Sequence, residues 1–256
     1  MQYIEIMRPI IKKAGDMVMS HFRGSLQIQR KKDLSVVTNI DVMSQEILLH
    51  GLCRALPGSG FIAEEAKQHE IKEFTWVIDP IDGTKNFVRG LPYFCINVAL
   101  MQHKEVIAAV TYFPAMDEWF YAQKGAGAWR NGVRLDMTQR NWSQAGALVV
   151  VSDFRLRHCE LLGKIKHQLK HIEHGVRFRV CGAAALDLAY CASGSYDAVL
   201  FENLKWWDAA GGTLLITEAG GTICQYDGSP VDQSFRSLIA GNKEMCDLIL
   251  PALYSE

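Results

Sequence analysis

The stretch Trp76-Val77-Ile78-Asp79-Pro80-Ile81-Asp82-Gly83-Thr84-Lys85-Asn86-Phe87 runs an apolar strand into two carboxylates and then into a Gly-Thr turn. Pro80 stands between Asp79 and Asp82, and its fixed φ bends the backbone so that both side chains and the Ile81 carbonyl can converge on one cation. Gly83 lets the main chain come close to a ligand. A second acidic element, Phe61-Ile62-Ala63-Glu64-Glu65, ends another short apolar strand, and a third, Trp206-Trp207-Asp208-Ala209-Ala210-Gly211-Gly212, opens a helix far downstream. Buried carboxylates without cations are costly, and no Arg or Lys recurs beside all three elements to neutralise them. Hard divalent cations are the expected answer, and an all-oxygen donor set favours Mg²⁺ or Mn²⁺ over zinc.

The elements that must carry these residues can be read from periodicity. Residues 3–22 place Ile4, Met7, Ile10, Ile11, Ala14, Val18 and Phe22 at helical spacing, with Gly24 as a stop, which predicts an amphipathic first helix. A second helix is expected over about residues 40–56, ended by Pro57-Gly58-Ser59-Gly60, and residues 61–63 are then a strand leading into the Glu pair. Strands at 95–102, 105–112 and 118–122, separated by turns, imply an antiparallel meander. After a polar stretch at 138–144 the pattern alternates: strand 147–152, helix 156–171, strand 176–180, helix 183–193, strand 196–201, helix 208–219. That alternation implies a sheet covered by helices. The chain reads as a single domain over 1–256, with an α+β half to about 140 and an α/β half from about 141.

The 256 residues, 49% of them hydrophobic, suffice for a large core in one compact unit or two closely joined ones. A formal net charge of −1 gives no general attraction to nucleic acid or anionic membrane, and the basic run Arg30-Lys31-Lys32 reads as a solvated face. Seven cysteines without a Cys-x-x-Cys pair read as reduced, buried thiols, which points to the cytoplasm. The start of the chain lacks the features of a signal peptide, and no apolar run approaches the ~20 residues of a membrane helix. His167, His171 and His174 fall at i, i+4 and i+7, a spacing able to hold a transition metal. They sit in a cationic segment whose nearest acidic residue is Glu173, and a helix C-terminus is enough to account for them.

The pattern Trp-x-Ile-Asp-Pro-x-Asp-Gly-Thr-x-Asn-Phe, preceded by Glu-Glu and followed near the end by Trp-Asp-x-Ala-Gly-Gly, resembles the inositol monophosphatase family of Mg²⁺-dependent, lithium-sensitive phosphatases. Lys32-Asp33-Leu34-Ser35-Val36-Val37-Thr38-Asn39-Ile40-Asp41 is similar to that family's early Val-Thr-x-x-Asp segment. Cys181-Gly182-Ala183-Ala184-Ala185-Leu186-Asp187-Leu188 is similar to its substrate-side helix. The resemblance implies an α+β fold, a layered αβαβα sandwich of the inositol monophosphatase / fructose-1,6-bisphosphatase type, and a homodimer. It also implies a metal set: Glu64, Asp79 and the Ile81 carbonyl for a first Mg²⁺, Asp79, Asp82 and Asp208 for a second, and Glu64 with water for a third, weaker one. Mn²⁺ would substitute. The nucleophile would be a water activated by the first metal and oriented by Thr84, itself held by Asp41. Gly83, Thr84 and Lys85 would bind the phosphate, while Ala184, Asp208 and Glu202 would face the substrate alcohol.

Two places depart from the family pattern. Lys85 stands where a Thr is common, and Asp-Gly-Thr-Lys resembles the related bisphosphate nucleotidases, which act on adenosine bisphosphates. The loop from Phe201 to Asp208 looks one residue shorter, which bears on the reach of Glu202. The expected activity is Mg²⁺-dependent hydrolysis of inositol monophosphate or a similar small polyol or sugar phosphate. The alternatives are a 3′(2′),5′-bisphosphate nucleotidase and a non-catalytic partner in a transcription complex, although the charge balance disfavours a nucleic-acid complex.

Overall fold

The computed structural model describes residues 1–31, 35–138, 146–152, 156–172 and 174–254. The expectations that rest on Lys32, Asp33, Leu34, residues 139–144 and Glu173 lie outside the described residues. Helix α1 (Gln2–His21) turns Ile4, Met7, Ile11, Ala14 and Val18 into the interior. A short antiparallel pair, β1 (Ile28–Arg30) and β2 (Val36–Thr38), leads into α2 (Asn39–Ala55), whose start is closed by a capping box between Thr38 and Asp41. The two helices lie side by side over one face of a seven-stranded sheet.

That sheet runs β3 (Gly60–Ala63), β4 (Phe74–Asp82), β5 (Cys95–Gln102), β6 (Glu105–Phe113), β7 (Glu118–Gln123), β8 (Ala128–Arg130) and β9 (Val133–Arg134) in spatial order. It is antiparallel throughout except where β3 pairs with β4. The expected meander is present and continues into β8 and β9, which are too short to show a period of their own. Strand alternation divides β4 between two cores: Trp76 and Ile78 face α1 and α2, while Val77 faces the opposite side. The short α3 (Thr84–Val88) follows β4 directly.

In the second half, β10 (Ala147–Val151), α4 (Leu156–Gln168), β11 (Val176–Arg179), α5 (Ala184–Ala192), β12 (Ala198–Glu202) and α6 (Trp206–Glu218) alternate as the sequence suggests. They are followed by β13 (Thr222–Cys224), β14 (Ser237–Gly241) and α7 (Lys243–Tyr254). The five-stranded sheet has the order β11-β10-β12-β14-β13, with β10 parallel to both its neighbours. Helices α5 and α6 fill the space between the two sheets, and α4 and α7 cover the far face. The layers are therefore α, β, α, β, α, the sandwich that the resemblance implies. One element is shorter than expected: α4 ends at Gln168, and His171 and His174, the latter at φ 62°, lie in the turn beyond. The three histidines therefore share no helical face.

Candidate active site

Residues three apart in a regular strand point to opposite faces. In β4, however, Asp79 is opposite Asn97 and Asp82 is opposite Cys95, so three steps on β4 meet two on β5. The extra residue of this bulge brings both carboxylates to the inner face, toward α5 and α6. Pro80 sits inside the bulge, where no ladder N–H is needed. Ser44 Oγ donates to the Pro80 carbonyl at 3.0 Å, and Ile81 N–H donates to Asp79 Oδ1 at 3.0 Å, which holds the turn in shape. Gly83 has φ 88°, and a Cβ there would lie 3.0 Å from both the Ala183 Cβ and the Tyr93 carbonyl oxygen, so the turn into α3 requires glycine.

Asp208 comes from the other half of the chain. It is the third residue of α6, not its N-cap, and Lys205 N–H donates to its Oδ2 at 2.8 Å. One oxygen from each of Asp79, Asp82 and Asp208 lies within 4.8 Å of the other two. Burial, then the charges of Glu64, Asp82 and Asp208, push the Asp79 carboxyl well above its ordinary range. Burial and the charges of Asp208 and Asp187 do the same to Asp82, against the N–H groups of α5. Those donors are Ala184 at 3.2 Å to Oδ1, with Ala185 at 2.8 Å and Leu186 at 3.4 Å to Oδ2. Asp208 is raised to about 6, mainly by burial.

Among the described residues no Lys, Arg or His forms a salt bridge with Asp79, Asp82 or Asp208. A surplus of hard oxygen donors with no cation of its own fits Mg²⁺ or Mn²⁺. Glu64 behaves differently: its charge is felt at Asp79, but its carboxylate is paired with Lys31 Nζ at 2.8 Å, and the same ammonium reaches Glu65 at 2.6 Å. Lys31 is thus no solvated surface cation, and the acidic ensemble does have a basic neighbour at its Glu64-Glu65 end. The reading of the basic run as a solvated face is corrected for Lys31, while no cation is shared by all three acidic elements among the described residues. It missed Lys31 because a long side chain in a basic run carries no sign of partners more than thirty residues away.

Asp41 is fully buried beneath the site. Its Oδ2 accepts from Thr38 N–H at 2.8 Å and Thr38 Oγ1 at 2.5 Å, and its Oδ1 lies 2.9 Å from Thr84 Oγ1. Thr84 Oγ1 is also 2.9 Å from the Ile81 carbonyl, so one hydroxyl proton is offered two acceptors. A cleft of about 410 Å³ opens over Asp82 and Asp208, and Lys85, Ala184 and Glu202 line it, so Glu202 reaches the cleft despite the shorter loop. Asp187 also lines it and was not singled out from sequence. Tyr93 OH donates to Asp187 Oδ1 at 2.5 Å, and burial raises its carboxyl to about 7. The available signal was an acidic residue inside the apolar helical run Ala185-Leu186-Asp187-Leu188-Ala189.

The family model for the inositol monophosphatase family matches residues 2–256. The inositol-1-monophosphatase of Caulobacter vibrioides is 37% identical over 235 residues, covering 89% of this chain and 91% of that protein. The Nus factor SuhB of Xylella fastidiosa is 31% identical over 264 residues, covering 98% of this chain and 94% of that one. Among solved structures, the extragenic suppressor protein suhB from Bartonella henselae superposes with a TM-score of 0.89 at 29% identity, covering 100% of this chain and 99% of the other.

Proposed function

The chain belongs to the inositol monophosphatase family and is a phosphatase, and from that premise we propose that it hydrolyses inositol monophosphate or a similar small polyol or sugar phosphate with the help of Mg²⁺. The observation that carries this reading is the convergence of Asp79, Asp82 and Asp208 within 4.8 Å beside a cleft of about 410 Å³. Asp79, Asp82, Asp208, Glu64 and the Ile81 carbonyl would hold two to three Mg²⁺ ions, with Mn²⁺ as a substitute. When bound, the metal neutralises phosphoryl charge and lowers the pKa of water.

The chain's own residues supply the rest. With its proton directed to Asp41 Oδ1 or to the Ile81 carbonyl, Thr84 presents its oxygen as an acceptor for the proton of an attacking water. Gly83, Thr84 and Lys85 offer backbone N–H groups to the phosphate at the start of α3. Ala184, Glu202 and Asp208 flank the alcohol side of the cleft. Lithium inhibition, a homodimer and a cytoplasmic location belong to the same proposal. No helix among the described residues is long and apolar enough to cross a membrane.

The test is turnover of inositol monophosphate, fructose bisphosphate, histidinol phosphate and adenosine bisphosphate side by side, with Mg²⁺ and after chelation. Full activity after exhaustive chelation overturns the metal reading. The exposed Lys85 on the cleft wall favours one rival, the bisphosphate nucleotidase, and a hundredfold or greater preference for adenosine bisphosphate would establish it (on the order of 3 kcal/mol). The relative named Nus factor SuhB supports the other, a role in a transcription complex. That role would survive the catalytically silent Asp79→Asn, so rescue of a deletion phenotype by this variant would favour binding over hydrolysis.

A further inference from the structure

We propose that Asn97 is a positioning residue that sets the spacing between Asp79 and Asp208, by tying the first turn of α6 to the strand beside Asp79; the proposal rests on the metal-site reading above. Asp79, Asn97 and Thr111 are cross-strand partners on β4, β5 and β6, so their side chains form one row on the inner face of the large sheet. Neighbouring inner-face positions are apolar: Val77 on β4, Cys95 and Ala99 on β5, and Ala109 and Phe113 on β6. The row is a polar strip in an apolar layer, and Asn97 and Thr111 are 1% and 0% exposed. Buried polar side chains persist where their hydrogen bonds are made.

Both are made here. Thr111 Oγ1 donates to Asn97 Oδ1 at 2.9 Å, which orients the amide so that Asn97 Nδ2 donates to the Trp207 carbonyl at 2.7 Å. Trp207 is the residue immediately before Asp208, and its carbonyl has a second lone pair to offer within the first turn of the helix. The close approach is possible because residue 211, one turn further on, is glycine: a Cβ there would lie 2.5 Å from Asn97 Oδ1. Thr111, Asn97 and Gly211 thus fasten the turn that carries Asp208 to β5, the strand beside the one that carries Asp79. Groups that orient metal ligands in this way commonly change metal affinity by about 10–100-fold when removed.

The experiment is calorimetric titration of the metal-free protein with Mg²⁺, and with Mn²⁺ as a second probe, well below the melting temperature, with no substrate present. Asn97→Leu keeps the size and removes both hydrogen bonds, and about a tenfold or greater rise in Kd is expected. Thr111→Val should raise Kd less, and Thr111→Ser, which restores the hydroxyl, should bind like the unmodified protein. A residue that only stabilised the core would lower Tm and leave Kd alone. A folded Asn97→Leu protein with unchanged Kd overturns the proposal. If Asn97→Leu does not fold, the threonine pair decides: a loss in Thr111→Val that serine rescues supports the proposal, and equal binding by both overturns it. Absence of metal binding by the unmodified protein would instead overturn the functional reading, and this proposal with it.

Discussion

Lowering the pH should stabilise this protein once its divalent cations are stripped, the reverse of ordinary acid denaturation. Burial raises Asp208 from 3.8 to about 6 and Asp187 from 3.8 to about 7, and it raises Asp79 and Asp82 in the same direction. A carboxyl whose folded pKa lies above its unfolded value binds its proton more tightly in the native state. Its contribution is complete below the unfolded pKa and is lost as pH rises through the folded one. From about pH 5.5 to about pH 8.5 the unfolded chain keeps these carboxylates ionised while the native state gives up its protons, which integrates to ~1 kcal/mol for Asp208 and ~2 kcal/mol for Asp187. For a chain of this size that is a fall in Tm of ~6–12 °C across the window, with Asp79 and Asp82 adding to it. Saturating Mg²⁺ should remove the share of Asp79, Asp82 and Asp208, because the cation replaces their protons, and leave that of Asp187. The assay is scanning calorimetry in chelator and in Mg²⁺ at steps across this range. A metal-free Tm that stays level or rises with pH would refute the reasoning, since it would mean that burial does not hold these carboxyls above their ordinary range.

Asp79→Asn should abolish turnover while raising the metal-free Tm at neutral pH, because it removes one charge from a repelling buried group; turnover and calorimetry on the same preparation check both. Millimolar lithium should slow hydrolysis relative to a potassium control of equal ionic strength, and unchanged rates would mean a site built unlike the family's. Lys85→Thr should cost adenosine bisphosphate roughly 1.5–3 kcal/mol in kcat/KM if the ammonium contacts a second phosphate, and leave inositol monophosphate nearly unchanged. Near-unchanged turnover of both substrates would make Lys85 a surface cation.

Much of the fold was legible because strong local signals agreed. The apolar run before Asp79, the Gly-Thr turn after it and the mostly apolar run of residues 95–102 between turns place β4, α3 and β5 within a residue or two of where they lie. The site was legible in outline for the same reason, since Asp79, Asp82 and Asp208 stand at element ends where side chains can converge. The bulge that turns Asp79 and Asp82 to one face was not, because a one-residue shift in pairing is a relation between two strands and leaves no periodic trace in either. The last two strands and α7 were passed over because β13 is only three residues long and the segment between it and β14 is rich in Asp, Ser and Pro turns.

Asp82 shows most clearly what a linear reading lacks. Helix α5 begins after Ala183, which has no side chain able to cap the helix, and its first N–H groups are taken by the Asp82 carboxylate from about a hundred residues away. A helix start without Ser, Thr, Asp or Asn was a legible sign that the cap came from elsewhere, though not from where. The consequence is that Asp82 does two jobs, binding the α5 terminus and contributing an oxygen to the acidic cluster. Asp82→Asn would therefore loosen α5 and the cleft wall formed by Ala184 and Asp187 as well as weaken the metal set, and its loss of activity could not be assigned to either cause alone. Asp79 accepts the Ile81 N–H within its own turn and shares a side-chain hydrogen bond with Asp208, and it caps no helix. Substitution at 79 is accordingly the cleaner probe of the metal chemistry, and a difference in Tm between Asp79→Asn and Asp82→Asn would measure how much the borrowed cap is worth.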